Sequence, residues 1–148
     1  MTSTAASRAL GAACILLGAT AAAHAQSAKA DFEKLGLMGT HTLDCSQPVS
    51  ESNGYIIYRA LDATRVQRDT MTGPTTRMFV SIAESASATA PNQVTVTGTS
   101  DGKKLVYTIK VDGQKHRVWT WTEDGVKSVE NGVWTEQKYE MPWLNKCS

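Results

Sequence analysis

The sequence predicts an all-β protein: an antiparallel up-and-down β-barrel of eight or nine strands with a short N-terminal helix, a β-sandwich being the alternative. Three observations predict it. Beyond Gly39 the chain is a succession of short β-prone runs broken by turn residues, at the spacing of a meander. Four connections, Asp101-Gly102, Asp112-Gly113, Asp124-Gly125 and Asn131-Gly132, carry dipeptides suited to the positive φ that tight hairpins need. Apolar side chains in the C-terminal runs fall on one face across successive strands, and a meander with one apolar face hides it by closing into a barrel or by packing as two sheets. Closure also removes exposed edges, which favours the barrel.

Segment 27–36 reads as the helix. Asp31 and Glu33 lie toward its start, Lys34 near its end, and Gly36 is placed for a left-handed cap. Phe32 and Leu35, three apart, share a face able to plug something beneath it. Candidate strands occupy 40–45, 55–61, 65–72, 76–83, 93–99, 103–111, 115–122, 126–130 and 133–139. The Ala/Ser-rich stretch 84–91 carries too few bulky residues for a central strand and reads as a loop, a mobile lid.

Register comes from asking which turn length sets apolar residues opposite one another, because a slip of one residue reverses every side chain. A two-residue Asp101-Gly102 turn pairs Val96 with Tyr107 and Val94 with Ile109. A three-residue loop at 111–113 pairs Leu105 with Trp119, and one at 123–125 pairs Trp119 with Val129. A two-residue Asn131-Gly132 turn then sets Val129 against Trp134 and Lys127 against Glu136. On this register Tyr107, Trp119, Trp121 and Trp134 form one apolar wall, while His116 and Val118 point away from it.

Residues 1–25 read as a secretory signal. Arg8 supplies the positive start, 9–23 the apolar stretch, and Ala23-His24-Ala25 a small-x-small cleavage site before Gln26. A lipoprotein acylated at Cys14 is the weaker reading, since Gly11 stands where a Leu belongs. The apolar stretch is too short for a membrane span and no comparable run lies beyond it, so region 26–148 is expected to be a single soluble domain, periplasmic or secreted. Fifteen Lys and Arg against fourteen Asp and Glu leave no basic field to hold a nucleic acid. Export leaves two cysteines, Cys45 and Cys147, and an oxidising compartment joins them. A redox or metal-binding pair is disfavoured by the absence of a CxxC spacing.

The layout of a short helix, Gly39-Thr40-His41 opening the first strand, a hairpin meander and a terminal cysteine bridging back resembles a small bacterial lipocalin-like (calycin) domain. The lipocalin signature there is Gly-x-Trp; only Gly39 carries over, and His41 stands where the Trp belongs. The chain is also similar to small exported alphaproteobacterial proteins, and to small secreted barrels that inhibit proteases or lysozymes. The resemblance implies a β-barrel that holds a ligand or a protein partner.

No G-x-S-x-G, triad arrangement or glycine-rich phosphate loop is visible, so no catalytic residue is assigned, no cofactor is implied and an enzyme is not expected. A catalytic metal usually takes three protein ligands. His41 and His116 with Asp44 or Glu140 lack a ligand spacing, and solvent-facing or satisfied histidines are expected instead. Arg59, Arg65, Arg68 and Arg77 fall in three consecutive strands and form either an anion-binding patch or, with Asp62 and Asp69, surface salt bridges. The expected site lies between the wall of Tyr107, Trp119, Trp121 and Trp134 and the N-terminal helix, binding a small lipophilic or aromatic ligand, with Lys127 and Glu136 at its polar mouth. The alternatives are a partner surface on loop 46–53 for an exported protein, or an envelope protein without ligand.

Overall fold

The computed structural model describes residues 27–147. The expected signal segment, its cleavage site and Cys14 lie outside them. The helix α1 (Ala28–Lys34) precedes ten strands: β1 (Gly39–Thr42), β2 (Tyr55–Ala60), β3 (Val66–Met71), β4 (Arg77–Ala90), β5 (Gln93–Ser100), β6 (Lys103–Asp112), β7 (Lys115–Glu123), β8 (Val126–Glu130), β9 (Val133–Trp134) and β10 (Leu144–Lys146). Antiparallel pairing runs in sequence order from β1 to β9. The last strand, β10, pairs with both β1 and β7, so β1 to β7 and β10 close an eight-stranded barrel, and β8 and β9 extend beyond β7.

The local chemistry explains each joint. Ser27 caps α1 by accepting a hydrogen bond from the Ala30 amide at 3.2 Å, and Gly36 takes φ +68° beyond its end. Phe32 and Leu37 are fully buried, with Leu35 packed partly against them, and the Lys29 amide donates to the Thr64 carbonyl at 3.0 Å. The helix therefore stoppers the end of the barrel that carries the β2–β3 turn. Asp101-Gly102, Asp124-Gly125 and Asn131-Gly132 all hold two successive positive φ angles, the signature of the tight hairpin turn whose twist matches the strands.

Pairing of Val96 with Tyr107, Val94 with Ile109, and Val129 with Trp134 is as expected. The two three-residue loops are not. The β6–β7 turn is Gly113-Gln114, and a bulge at Trp119 resets the register so that Tyr107 faces Trp121 and Ile109 faces Val118. The β7–β8 turn is Asp124-Gly125 alone, with a second irregularity beyond Trp121. A bulge inserts one residue and reverses the facing of the residues beyond it. Consequently His116 and Val118 turn into the barrel and Trp119 turns out of it, the reverse of expectation.

Stretch 84–91 is also not a loop. β4 runs through it to Ala90, paired with β5, and its small side chains lie where α1 packs; Ala83 and Ala86 are buried and Ser27 bridges to Ser85. Poverty in bulk here reflects proximity of the helix, since only small residues fit between two layers that close. β10 is an element the sequence does not announce. Three residues beyond Pro142 are too few to display alternation, yet they form the seam, and Cys45 is bonded to Cys147 across it with Cα atoms 5.6 Å apart.

Candidate functional site

The seam explains why there is a cavity. β10 covers β7 only at Lys115 and His116, whereas the other half of β7, Trp121 to Glu123, pairs with β8. The strand changes partner at the Trp119 bulge. Toward α1 the barrel is closed and packed: Val94, Val96, Leu105, Tyr107 and Ile109 are fully buried. Toward the β3–β4, β5–β6 and β7–β8 turns the wall splays, leaving a cavity of about 740 Å³ that opens to solvent. Ile56, Phe79, Val118, Trp121 and Val129 supply its walls, and Trp134 and Met141 its cover. Exposed Met78 and Val126 stand at the mouth. A smaller space of about 350 Å³ adjoins it, sharing Ile56, Arg68 and Thr70 and reaching His116 and Tyr139.

Of the expected wall, Trp121 and Trp134 line the cavity, whereas α1, expected to face them across the ligand, supplies none of its lining because it packs at the closed end. Tyr107 is buried beside it, stacked on Trp121 with ring centroids 4.9 Å apart. Trp119 lies on the outer surface between Lys110 and Arg117, at 4.6 and 5.0 Å from their charged groups. Lys127 and Glu136 do not pair: β9 ends at Trp134, Lys127 binds Glu130 at 2.7 Å, and both Lys127 and Glu136 are exposed. The pair at the rim is Lys103 with Glu123, 2.6 Å apart. The Glu123 carboxylate, as acceptor and as charge, raises the Lys103 ammonium above its ordinary pKa.

The four arginines divide. Arg59 and Arg77 cover the buried carboxylate of Asp69 on the outer face of the barrel at 2.6 and 3.3 Å, and Arg65 binds Asp62 at 2.6 Å. Arg68 alone points inward. It is 7% exposed, pairs in register with buried Tyr58 and Ser81, and lies between Phe79 and Trp121, its guanidinium carbon 5.6 and 5.3 Å from the two ring centroids. No carboxylate pairs with it among the described residues. The signal for this is present in the sequence: Val66, Arg68 and Thr70 share one face of β3 by simple alternation.

Beneath the cavity lies a hydrogen-bonded row. His41 Nε2 contacts the Leu37 carbonyl at 2.9 Å, which requires a proton there and leaves Nδ1 as an acceptor. His116 Nδ1, 3.1 Å away, must then donate to it, so His116 Nε2 accepts from the Tyr58 hydroxyl at 3.4 Å. Burial favours the neutral form of both rings, for which this is the consistent arrangement. Burial, then the neighbouring His41 and Arg68, push the His116 pKa down to about 3, and burial lowers His41 as well. Desolvation raises the Tyr58 and Tyr107 hydroxyls. Asp44 is occupied with Ser46 and Glu140 is exposed near Arg117, so neither reaches the histidines. Among the described residues no three His, Cys, Asp or Glu side chains gather as a metal site.

The chain is a small closed antiparallel barrel stoppered by a short helix, an architecture consistent with a lipocalin-like fold. Compared with protein-family models, with curated proteins and with solved structures, it finds no match in any of the three.

Proposed function

We propose that this protein is a non-enzymatic, lipocalin-like carrier that binds a small lipophilic or aromatic molecule in the open half of the barrel. The observation that carries the reading is the cavity of about 740 Å³, within the range of small-molecule sites and walled mainly by apolar and aromatic side chains. Export to an oxidising compartment belongs to the same proposal, supported by the Cys45–Cys147 bond; no helix among the described residues is long and apolar enough to cross a membrane.

Titration with the neutral fluorophore N-phenyl-1-naphthylamine, read through quenching of tryptophan emission, tests it. Saturable quenching is expected. It should persist in Trp119→Phe, whose ring is outside, and weaken in Trp121→Phe, whose ring lines the cavity. Equal quenching in those two variants, or none in the parent protein, would sink the proposal.

A second reading has one observation in its favour. Loop 43–54 is exposed but fixed: the Asn53 side chain accepts from the Thr42 hydroxyl and the Asp44 amide and donates to the carbonyls of Asp44, Gln47 and Pro48. A loop held in one shape loses little entropy on docking, as an inhibitory loop must. Stoichiometric capture of an exported hydrolase, lost on Asn53→Ala, would favour that reading.

A further inference from the structure

The floor of the cavity carries a charge with no counter-charge. Moving a guanidinium out of water costs several kcal/mol unless a partner and hydrogen bonds replace the solvent. The chain offers Arg68 two aromatic faces and the hydroxyl of its register neighbour Tyr58, but no carboxylate among the described residues. Asp69, next in sequence, is turned to the outer face of the barrel, buried beneath Arg59 and Arg77 and held by them. Glu123 and Asp124 are on the rim, Glu123 bound to Lys103 and Asp124 accepting from the Lys104 amide. The histidines below are neutral. Nothing among the described residues at the floor supplies negative charge.

Two further observations point the same way. Arg68 Nε, Thr70 Oγ1 and Trp134 Nε1 are buried side-chain polar atoms without a hydrogen-bond partner among the described residues, and all three residues line the same cavity. Each can donate, and buried donors left unmatched are rare in folded proteins. Around them the cavity is apolar, and Met78 and Val126 continue that character to the mouth.

We propose that the ligand is an amphiphile with a single anionic head group, its head received by Arg68 at the floor and its tail lying along the apolar wall toward Met78 and Val126. The inference rests on the cavity being a ligand site and adds the class of molecule that fits it. Arg presents a planar fork of donors suited to carboxylate or phosphate, with Thr70 and Trp134 as further donors along the wall. An uncharged lipophile would leave Arg68 without a counter-charge, and a cationic one would be repelled.

The experiment displaces bound N-phenyl-1-naphthylamine from the full chain, disulfide intact, with dodecanoate, dodecanol and acetate. Dodecanoate is expected to displace it at a concentration roughly ten- to a hundredfold lower than dodecanol, the range for a buried charge-assisted hydrogen bond. Acetate should be ineffective. Arg68→Met should erase the difference between acid and alcohol while keeping the fluorophore, and Arg68→Lys should keep part of it. Without ligand, Arg68→Met should be at least as resistant to denaturant as the parent, because an unpaired buried charge has gone.

Should dodecanoate and dodecanol displace the bound fluorophore equally, the head-group assignment is overturned and the lipophile site stands. Displacement by acetate as effective as by dodecanoate overturns the amphiphile in favour of a small free anion. If neither fluorophore nor dodecanoate binds, the site itself fails and the inference with it. Were Arg68→Met unable to fold, the parent's acid-to-alcohol ratio, with Arg68→Lys, decides alone.

Discussion

At the scale of single residues, the two histidines set the acid limit of the fold. Neutral His116 lies in a dry row between His41 and Tyr58, and its pKa of about 3 in the folded state stands well below the ordinary value of 6.5. Between those values the unfolded chain holds the extra proton, so stability is complete above pH 6.5 and falls as the pH drops toward 3. The slope is about 1.4 kcal/mol per pH unit for each such histidine. Denaturant midpoints taken at about pH 7.5, 6.5, 5.5 and 5.0 should decline below the ordinary histidine value, before the carboxylates with lowered pKa, such as Asp44 and Glu130, begin to protonate. His116→Gln should flatten the decline. None of this is legible from the residues in order. His41 and His116 are 75 positions apart, and each has an ordinary polar setting until the barrel brings them together. The inward facing of Arg68 is legible, because β3 alternates regularly and puts Val66, Arg68 and Thr70 on one face and Asp69 on the other.

At the scale of elements, the hairpin dipeptides and the helix caps are readable because their chemistry is local: Asp-Gly and Asn-Gly at positive φ, Ser27 at the N-cap, Gly36 beyond the end. The bulges are not, since an inserted residue is chosen by the packing on both sides of a strand and has no dipeptide of its own. Their effect is large. One residue at Trp119 puts His116 into the core and an indole onto the surface. Close approach of β4 and β5 gives a direct check on the strand that replaces the expected loop. A Cβ built on Gly98 would lie 1.9 Å from the Ile82 carbonyl oxygen, beside the irregularity in β4, so backbone and not a pliable side chain must yield. Gly98→Ala should lower unfolding free energy by roughly 2–3 kcal/mol, the range of an overpacked core site. Were 84–91 the loop its composition suggests, the same substitution would be nearly neutral, and thermal or urea melts tell these apart.

At the scale of the whole molecule, the barrel and its disulfide are legible in the sequence and the opening is not. The class comes from the meander and its apolar face, and the pairing of Cys45 with Cys147 from there being two cysteines left after the expected processing. The cavity depends instead on β10 being three residues long, so that β7 has a closing partner for only part of its length. Removing the staple should show how much the closure relies on it. Cys45→Ser with Cys147→Ser releases a loop spanning 102 positions, and the chain-entropy account puts the loss at about 4–5 kcal/mol. Urea unfolding should shift accordingly, and a shift below about 1 kcal/mol would mean that the strand pairing holds the seam unaided. The seam also orders events in time. Hairpins from β4 to β8 join neighbours along the chain and assemble in microseconds, while β1 must find a strand more than a hundred positions away. Until that meeting β1 and β7 are bare edges, so the half-made ribbon is the form of this protein most exposed to aggregation with other chains.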